Sequence, residues 1–257
     1  VIRILALAVL LAAPGLADEW TKTFSISGAA DLRVDTNDGA VTVRAWDLNR
    51  IEARVTTTGW KIGPGEVQVR EHQTGDRVEL DVHLPSRTWG AGSRTVRIEL
   101  QVPRQTRSEI RTGDGRIRIE GVKGEAHLST GDGAIEADTL DGTLEARTGD
   151  GGIRVRGRLD SLRLHTGDGS IQAEILAGSK IDTNWRVETG DGSVRLRLPS
   201  DFAADLDVHT GDGGISVDLP LTVSGVRNSS NLRGKLNNGT RPLYVRTNDG
   251  AIHIGRL

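Results

Sequence analysis

The chain has no cysteine and no methionine, and its 257 residues include only two Phe, one Tyr and five Trp. Without cysteine there is no disulfide framework and no lipid attachment at a cysteine side chain. Thirty-three glycines against so few aromatics suit thin stacked layers better than a thick globular core. Neither sign of charge dominates: 33 Lys and Arg are interspersed with 35 Asp and Glu, for a formal net charge of −2. No basic stripe stands out, so nucleic acid is not an expected partner. Beyond the N-terminus no segment is apolar enough to span a membrane, and no helical periodicity is visible. No Ser-His-Asp order, His-Glu zinc motif or phosphate-cradling loop is present.

What the chain does contain is one tetrapeptide, Thr-Gly/Asn-Asp-Gly, eight times over, beginning at Thr36, Thr112, Thr130, Thr148, Thr166, Thr189, Thr210 and Thr247. From Asp114 through Asp132 and Asp150 to Asp168 every step is 18 residues; the next are 23, 21 and 37. A fixed period near 20 residues marks a repeat architecture with one supersecondary unit per copy. Counting from each Asp, position +3 is β-branched in all eight copies (Val41, Ile117, Ile135, Ile153, Ile171, Val194, Ile215, Ile252). Position +5 is apolar and +4 polar throughout; upstream, −4 is apolar in all eight copies and −6 in seven, Ser108 being the exception. Period-2 patterning on both flanks of the Asp-Gly makes a half-buried strand on each side, and the protein reads as all-β.

The tetrapeptide is turn chemistry. Glycine at +1 is expected to supply a positive φ at the corner, and the Asp carboxylate to cap the corner N–H groups. Thr at −2 shares the parity of the apolar positions, so its methyl should face inward and its hydroxyl bond the corner backbone. The eight aspartates, Asp38, Asp114, Asp132, Asp150, Asp168, Asp191, Asp212 and Asp249, then form a structural turn ladder. Identical residues at identical positions favour a right-handed single-stranded β-solenoid, β-helix-like, built of about 18–23-residue rungs. The alternative is an antiparallel β-meander with Asp-Gly hairpins. The first and last copies alone read Thr-Asn-Asp-Gly, which suggests that they cap the two ends.

Arg3, the apolar run Ile4 to Ala13 and the small residues before Asp18 have the pattern of a cleavable signal peptide over 1–17, cut after Ala17. A secreted or periplasmic mature protein is therefore expected. Residues 18–107 read as irregular N-terminal β rungs, continuous with a regular repeat array over 108–257. Gly59 to Gly65 and Pro85 to Gly92 look like loops carrying Trp60 and Trp89, and Val226 to Asn238 like an Asn-rich insertion.

Phe24-Ser25-Ile26-Ser27-Gly28 leading into Leu32-Arg33-Val34, then Asn37-Asp38-Gly39-Ala40-Val41-Thr42-Val43-Arg44-Ala45-Trp46-Asp47, resembles the opening of the bacterial putative-adhesin proteins of the toast-rack type. Arg97 to Pro103 followed by the Gly-Asp-Gly ladder is similar to their continuation. The resemblance covers essentially all of the mature chain. It implies a β-strand-repeat fold, an exported or membrane-associated setting, and no catalytic residues to carry over.

These readings converge on an exported, non-enzymatic module that acts through its surface, adhesin-like or structural in the cell envelope. Its partner is expected to be a cell-envelope protein or glycan, with no cofactor and no metal. Features that break the repeat are the candidate contact residues: Trp60, Trp89, Asn228 and Asn231, since exposed Trp stacks on sugars and amides bond hydroxyls. Two alternatives stand beside this. A polysaccharide-processing β-helix enzyme would exploit carboxylates about 4.8 Å apart on adjacent rungs, although an Asp at every corner fits a scaffold better than a one-off active site. A calcium-dependent β-roll would use the Asp column as ligands, but the second half of each unit lacks the required Gly-Asp spacing.

Overall fold

The structure is a computed structural model and describes residues 17–85, 94–227 and 229–257, with 223–227 described as backbone only. The predicted signal peptide thus lies, apart from Ala17, outside the described residues, as do Trp89 and Asn228. The described residues form 21 strands and no helix. In chain order these are β1 (Ala17–Ser25), β2 (Ala30–Thr36), β3 (Ala40–Trp46), β4 (Arg50–Thr58), β5 (Gln68–Thr74), β6 (Arg77–His83) and β7 (Thr95–Pro103). Then come β8 (Thr106–Thr112), β9 (Ile117–Glu120), β10 (Lys123–Ser129), β11 (Ile135–Thr148), β12 (Ile153–Thr166), β13 (Ile171–Ile175) and β14 (Trp185–Thr189). The last are β15 (Val194–Leu198), β16 (Ala204–Thr210), β17 (Ile215–Val217), β18 (Leu221–Arg227), β19 (Asn231–Leu236), β20 (Pro242–Thr247) and β21 (Ile252–Arg256).

Each tetrapeptide joins two ladders. Strands entering the corner build wall A, in the order β6-β2-β8-β10-β11-β12-β14-β20-β16, every pair parallel. Strands leaving it build wall B, in the order β7-β3-β9-β11-β12-β13-β15-β21-β17, again all parallel. The long strands β11 and β12 serve both walls, bending at register shifts near Asp138/Leu140 and Gly142/Thr143. Equivalent residues pair directly: Val41, Ile117, Ile135, Ile153, Ile171, Val194, Ile252 and Ile215 form one continuous column. This is solenoid-like stacking with two strands per rung. The Asp-Gly corners do not join antiparallel neighbours, so the meander is excluded there. Antiparallel pairing is confined to the ends, at β1–β4, β4–β7 and β5–β6 on one side and β16–β19 and β18–β19 on the other.

The burial pattern follows the alternation of the sequence: β2, for example, runs intermediate and buried by turns, with Leu32 and Val34 fully covered. One apolar cluster runs the length of the stack, from Phe24 to Ile254. No rung could hold it alone. Four or five inward side chains contribute roughly 1.5–3 kcal/mol each, against about 1–2 kcal/mol of backbone entropy for every residue ordered. Neighbouring rungs supply the rest.

The spatial order of rungs departs from the chain order at both ends. The rung of Thr247 lies between those of Thr189 and Thr210, because β20 pairs with both β14 and β16, and β21 with both β15 and β17. Likewise the rung of Thr36 lies inside that of β6 and β7. The two Thr-Asn-Asp-Gly copies are therefore not caps; each sits one rung in from an end. Asn37 shows what the amide does there. Its Nδ2 donates to Leu84 O at 2.9 Å and its Oδ1 accepts from Leu84 N at 2.8 Å, replacing the backbone partner that a further tetrapeptide corner would have provided.

Candidate functional site

The corner itself is held by threonine. Thr166 Oγ1 donates to Gly149 O at 3.1 Å and Gly151 O at 2.8 Å on the preceding rung and accepts from Gly169 N at 3.2 Å. Thr130, Thr189 and Thr247 repeat this three-way bridge. All eight of these threonines are buried. The expected Asp cap is not made. The eight aspartates are exposed, and among the described residues no hydrogen bond reaches their carboxylates.

The glycine at +1 also has a different reason from the one expected. Of the eight, only Gly39 has a positive φ, 135°. At Gly115, Gly133, Gly151, Gly169, Gly192, Gly213 and Gly250 a Cβ would fall on the carbonyl oxygen of the equivalent glycine in the adjacent rung. Close backbone approach excludes any side chain. Within the regular rungs positive φ falls instead on the opposite edge of the stack, as at Gly121, Gly124 and Gly142 (73°, 136° and 137°).

Among the described residues no group of three or more His, Cys, Asp and Glu side chains comes together as metal ligands would. The Asp edge is thus a row of single solvated carboxylates, one per rung.

Of the contact residues expected from sequence, Trp60 is buried, at 8 % exposure, with the Arg94 guanidinium 4.5 Å from its ring centroid and its carbonyl accepting from Thr57 Oγ1. That is the environment of a core-covering side chain, and its face is not available to stack on a sugar. Asn231 is half-buried in β19, where its Oδ1 meets His209 Nδ1 at 2.8 Å. The structure does not bring these two residues together into a site.

The outer face of wall B carries a feature that sequence reasoning did not single out. A groove of about 420 Å³ runs across the rungs of β9, β11, β12, β13 and β15, floored by the strand backbone at Ala137, Val155 and Ala173, whose side chains are buried in the core. Five guanidiniums, Arg118, Arg154, Arg156, Arg195 and Arg197, line it together with Gln172 and three carboxylates, Glu136, Asp138 and Glu174. They stand in two registered columns. At +4 the order is Arg118, Glu136, Arg154, Gln172, Arg195; at +6 it is Asp138, Arg156, Glu174, Arg197, preceded by Glu120, which lies just outside the groove 3.8 Å from Arg118. Glu136 accepts from Arg118 at 3.0 Å and faces Arg154 at 3.7 Å. Arg156 lies 3.8 Å from Asp138 and 3.6 Å from Glu174, which also meets Arg197 at 3.3 Å. Among the described residues Arg195 has no carboxylate within ion-pair reach. The arginine side chains are 43–66 % exposed where paired, so each pair contributes only about 0–1 kcal/mol and yields readily to a competing anion. The legible signal was the alternation of Arg with Glu or Gln at +4 down the repeat.

An all-β, two-walled repeat stack with polar ladders on its outer faces is the class of protein these observations define. The family model Toastrack DUF4097 matches residues 28–255, and the chain belongs to that family. No curated protein matches it. Solved structures similar to it include a putative cell adhesion protein from Clostridium sporogenes ATCC 15579, 15% identical over 93% of this chain and 99% of that one, with a TM-score of 0.42. A putative adhesin from Parabacteroides merdae ATCC 43184 is 12% identical over 92% and 96%, with a TM-score of 0.46. A putative lipid binding protein from Parabacteroides distasonis ATCC 8503 is 13% identical over 95% and 98%, with a TM-score of 0.39. No helix among the described residues is long and apolar enough to cross a membrane.

Proposed function

We propose that the protein is an exported, non-enzymatic adhesin-like or cell-envelope interaction module whose contact surface is the outer face of wall B. The observation that carries this reading is the arginine-lined groove, in which five guanidiniums outnumber three carboxylates on a rigid, registered sheet. Such an array presents fixed charge without the cost of ordering a loop, which suits binding. The tetrapeptide repeats serve as the scaffold that sets its spacing. The Toastrack family to which the chain belongs indicates no catalytic function.

The test is capture of cell-envelope fractions by the mature chain, with and without chelator, comparing wild type with the double variant Arg154→Gln/Arg195→Gln. Retention by wild type and loss in the variant is expected. Capture that survives the double variant sinks the surface, and capture abolished by chelator would transfer the role to the Asp edge.

A further inference from the structure

The groove has a period as well as a charge. Along the +4 column Arg118, Arg154 and Arg195 occupy every second rung, with Glu136 and Gln172 between them. Adjacent strands lie about 4.7–4.9 Å apart, so the guanidiniums repeat every 9–10 Å or so along the stack axis. That is the length of one disaccharide unit in an extended polysaccharide. Between each pair of arginines lies a carboxylate or an amide, an acceptor for sugar hydroxyls, and Gln172 offers a donor as well. Among the described residues no aromatic ring lines the groove, so hydrogen bonds and charge, rather than stacking, would hold the sugar rings. Five rungs span about 19 Å from first to last at that strand spacing, room for two full disaccharide steps between the outer arginines.

From this geometry we propose that the wall B groove binds a linear acidic polysaccharide carrying one carboxylate per disaccharide, laid along the stack axis. The assignment rests on the contact surface proposed above and names its ligand. Each uronate carboxylate sits against one +4 arginine, where a planar guanidinium takes a carboxylate in a two-pronged bond. The intervening neutral sugar faces Glu136 or Gln172. Arg195, which has no carboxylate partner of its own among the described residues, is the strongest single anchor. Arg154, 66 % exposed and held only at 3.7 Å by Glu136, is the next. A ligand with charge on every sugar would place half its carboxylates against Glu136 and Gln172, so the alternating polymer is preferred.

The probe is hyaluronan, whose glucuronates alternate with a neutral sugar, offered as oligosaccharides of one to four disaccharides. Neutral dextran and vesicles of phosphatidylglycerol in phosphatidylcholine serve as competitors. Affinity is expected to rise with each disaccharide up to three, to level off at four, and to fall as salt screens the charges. Arg154→Gln/Arg195→Gln should weaken binding at least tenfold, whereas Arg107→Gln/Arg147→Gln on wall A should leave it unchanged. Circular dichroism of each variant checks the fold. The proposal is overturned by no saturable binding of any oligosaccharide, by equal binding of dextran, or by equal loss in the wall A variant. Stronger competition by the anionic vesicles assigns the groove to a lipid headgroup and also overturns it. If the double variant loses envelope capture while hyaluronan never binds, the acidic glycan falls and the contact surface stands.

Discussion

At the residue scale the corner is a division of labour between Thr and Gly, with Asp outside it. Thr166 is fully buried and its hydroxyl bridges two rungs. Replacing it with the isosteric Val leaves Gly151 O and Gly169 N without that partner, and we expect a loss of about 1–3 kcal/mol in denaturant unfolding. Asp150 is exposed and among the described residues its carboxylate accepts no hydrogen bond, so Asp150→Ala should stay within about 0.5 kcal/mol of wild type; a larger loss would mean that the carboxylate caps the corner after all. Glycine gives a second contrast. A Cβ at Gly151 would meet Gly133 O, whereas one at Gly214 meets nothing within 4 Å. Gly151→Ala should therefore cost about 1–3 kcal/mol as overpacking does. Gly214→Ala, which only installs the alanine already present at the same position in Ala40, Ala134 and Ala251, should be neutral or slightly stabilising.

At the scale of elements, the edge opposite the tetrapeptide corners is held by charge where β11 and β12 bend. Arg158 donates to both oxygens of Asp160, at 2.6 and 2.7 Å, and also to Asp141. That hydrogen bonding, with the charges of Arg158 and Lys180, holds the Asp160 carboxyl below the usual carboxylate range despite partial burial. The sign follows from the direction of the shift. A depressed folded pKa means that the contribution is fully present above the ordinary Asp value of about 3.9 and is lost as pH falls through the lower, folded value. Thermal melts between pH 6 and pH 2 should show this acid loss, and Asp160→Asn should flatten it while lowering stability at neutral pH. An unchanged acid limb in that variant would show that the pair contributes nothing measurable.

At the scale of the molecule, the intercalated C-terminal rung makes the stack depend on its own end. In a simple solenoid, removing the final coil would only fray one edge. Here β20 and β21 separate β14 and β15 from β16 and β17, so deleting residues 242–257 leaves the segment from Ala204 to Leu236 without its parallel partners. Hydrogen exchange on that truncation should show loss of protection throughout 204–236, with rungs 112 to 175 retained. Retained protection over 204–236 would contradict the observed order. The same order keeps the wall B groove central, between β9 and β15, where each of its strands has neighbours on both sides.

The all-β class, the strand positions, the inward columns and the burial of Thr were legible in the linear chain, because side-chain alternation and an 18-residue period are local properties of the sequence. The columns of Ile117, Ile135, Ile153 and Ile171 needed only counting. What counting could not reach was contact between distant rungs. Which rung lies beside which depends on pairing partners, so the interior place of the Thr247 copy appears only when β20 is seen between β14 and β16. The reason for glycine at +1 is likewise tertiary: the obstructing oxygen belongs to a residue 18 or more positions away, as Gly133 does for Gly151. Trp60 looked like an exposed loop residue because its neighbours are loop-forming, while its burial comes from the core end that it covers and from Arg94 above it. The groove has the same origin, since Arg118, Arg154 and Arg195 are far apart in the chain and share a face only once the rungs stack in register.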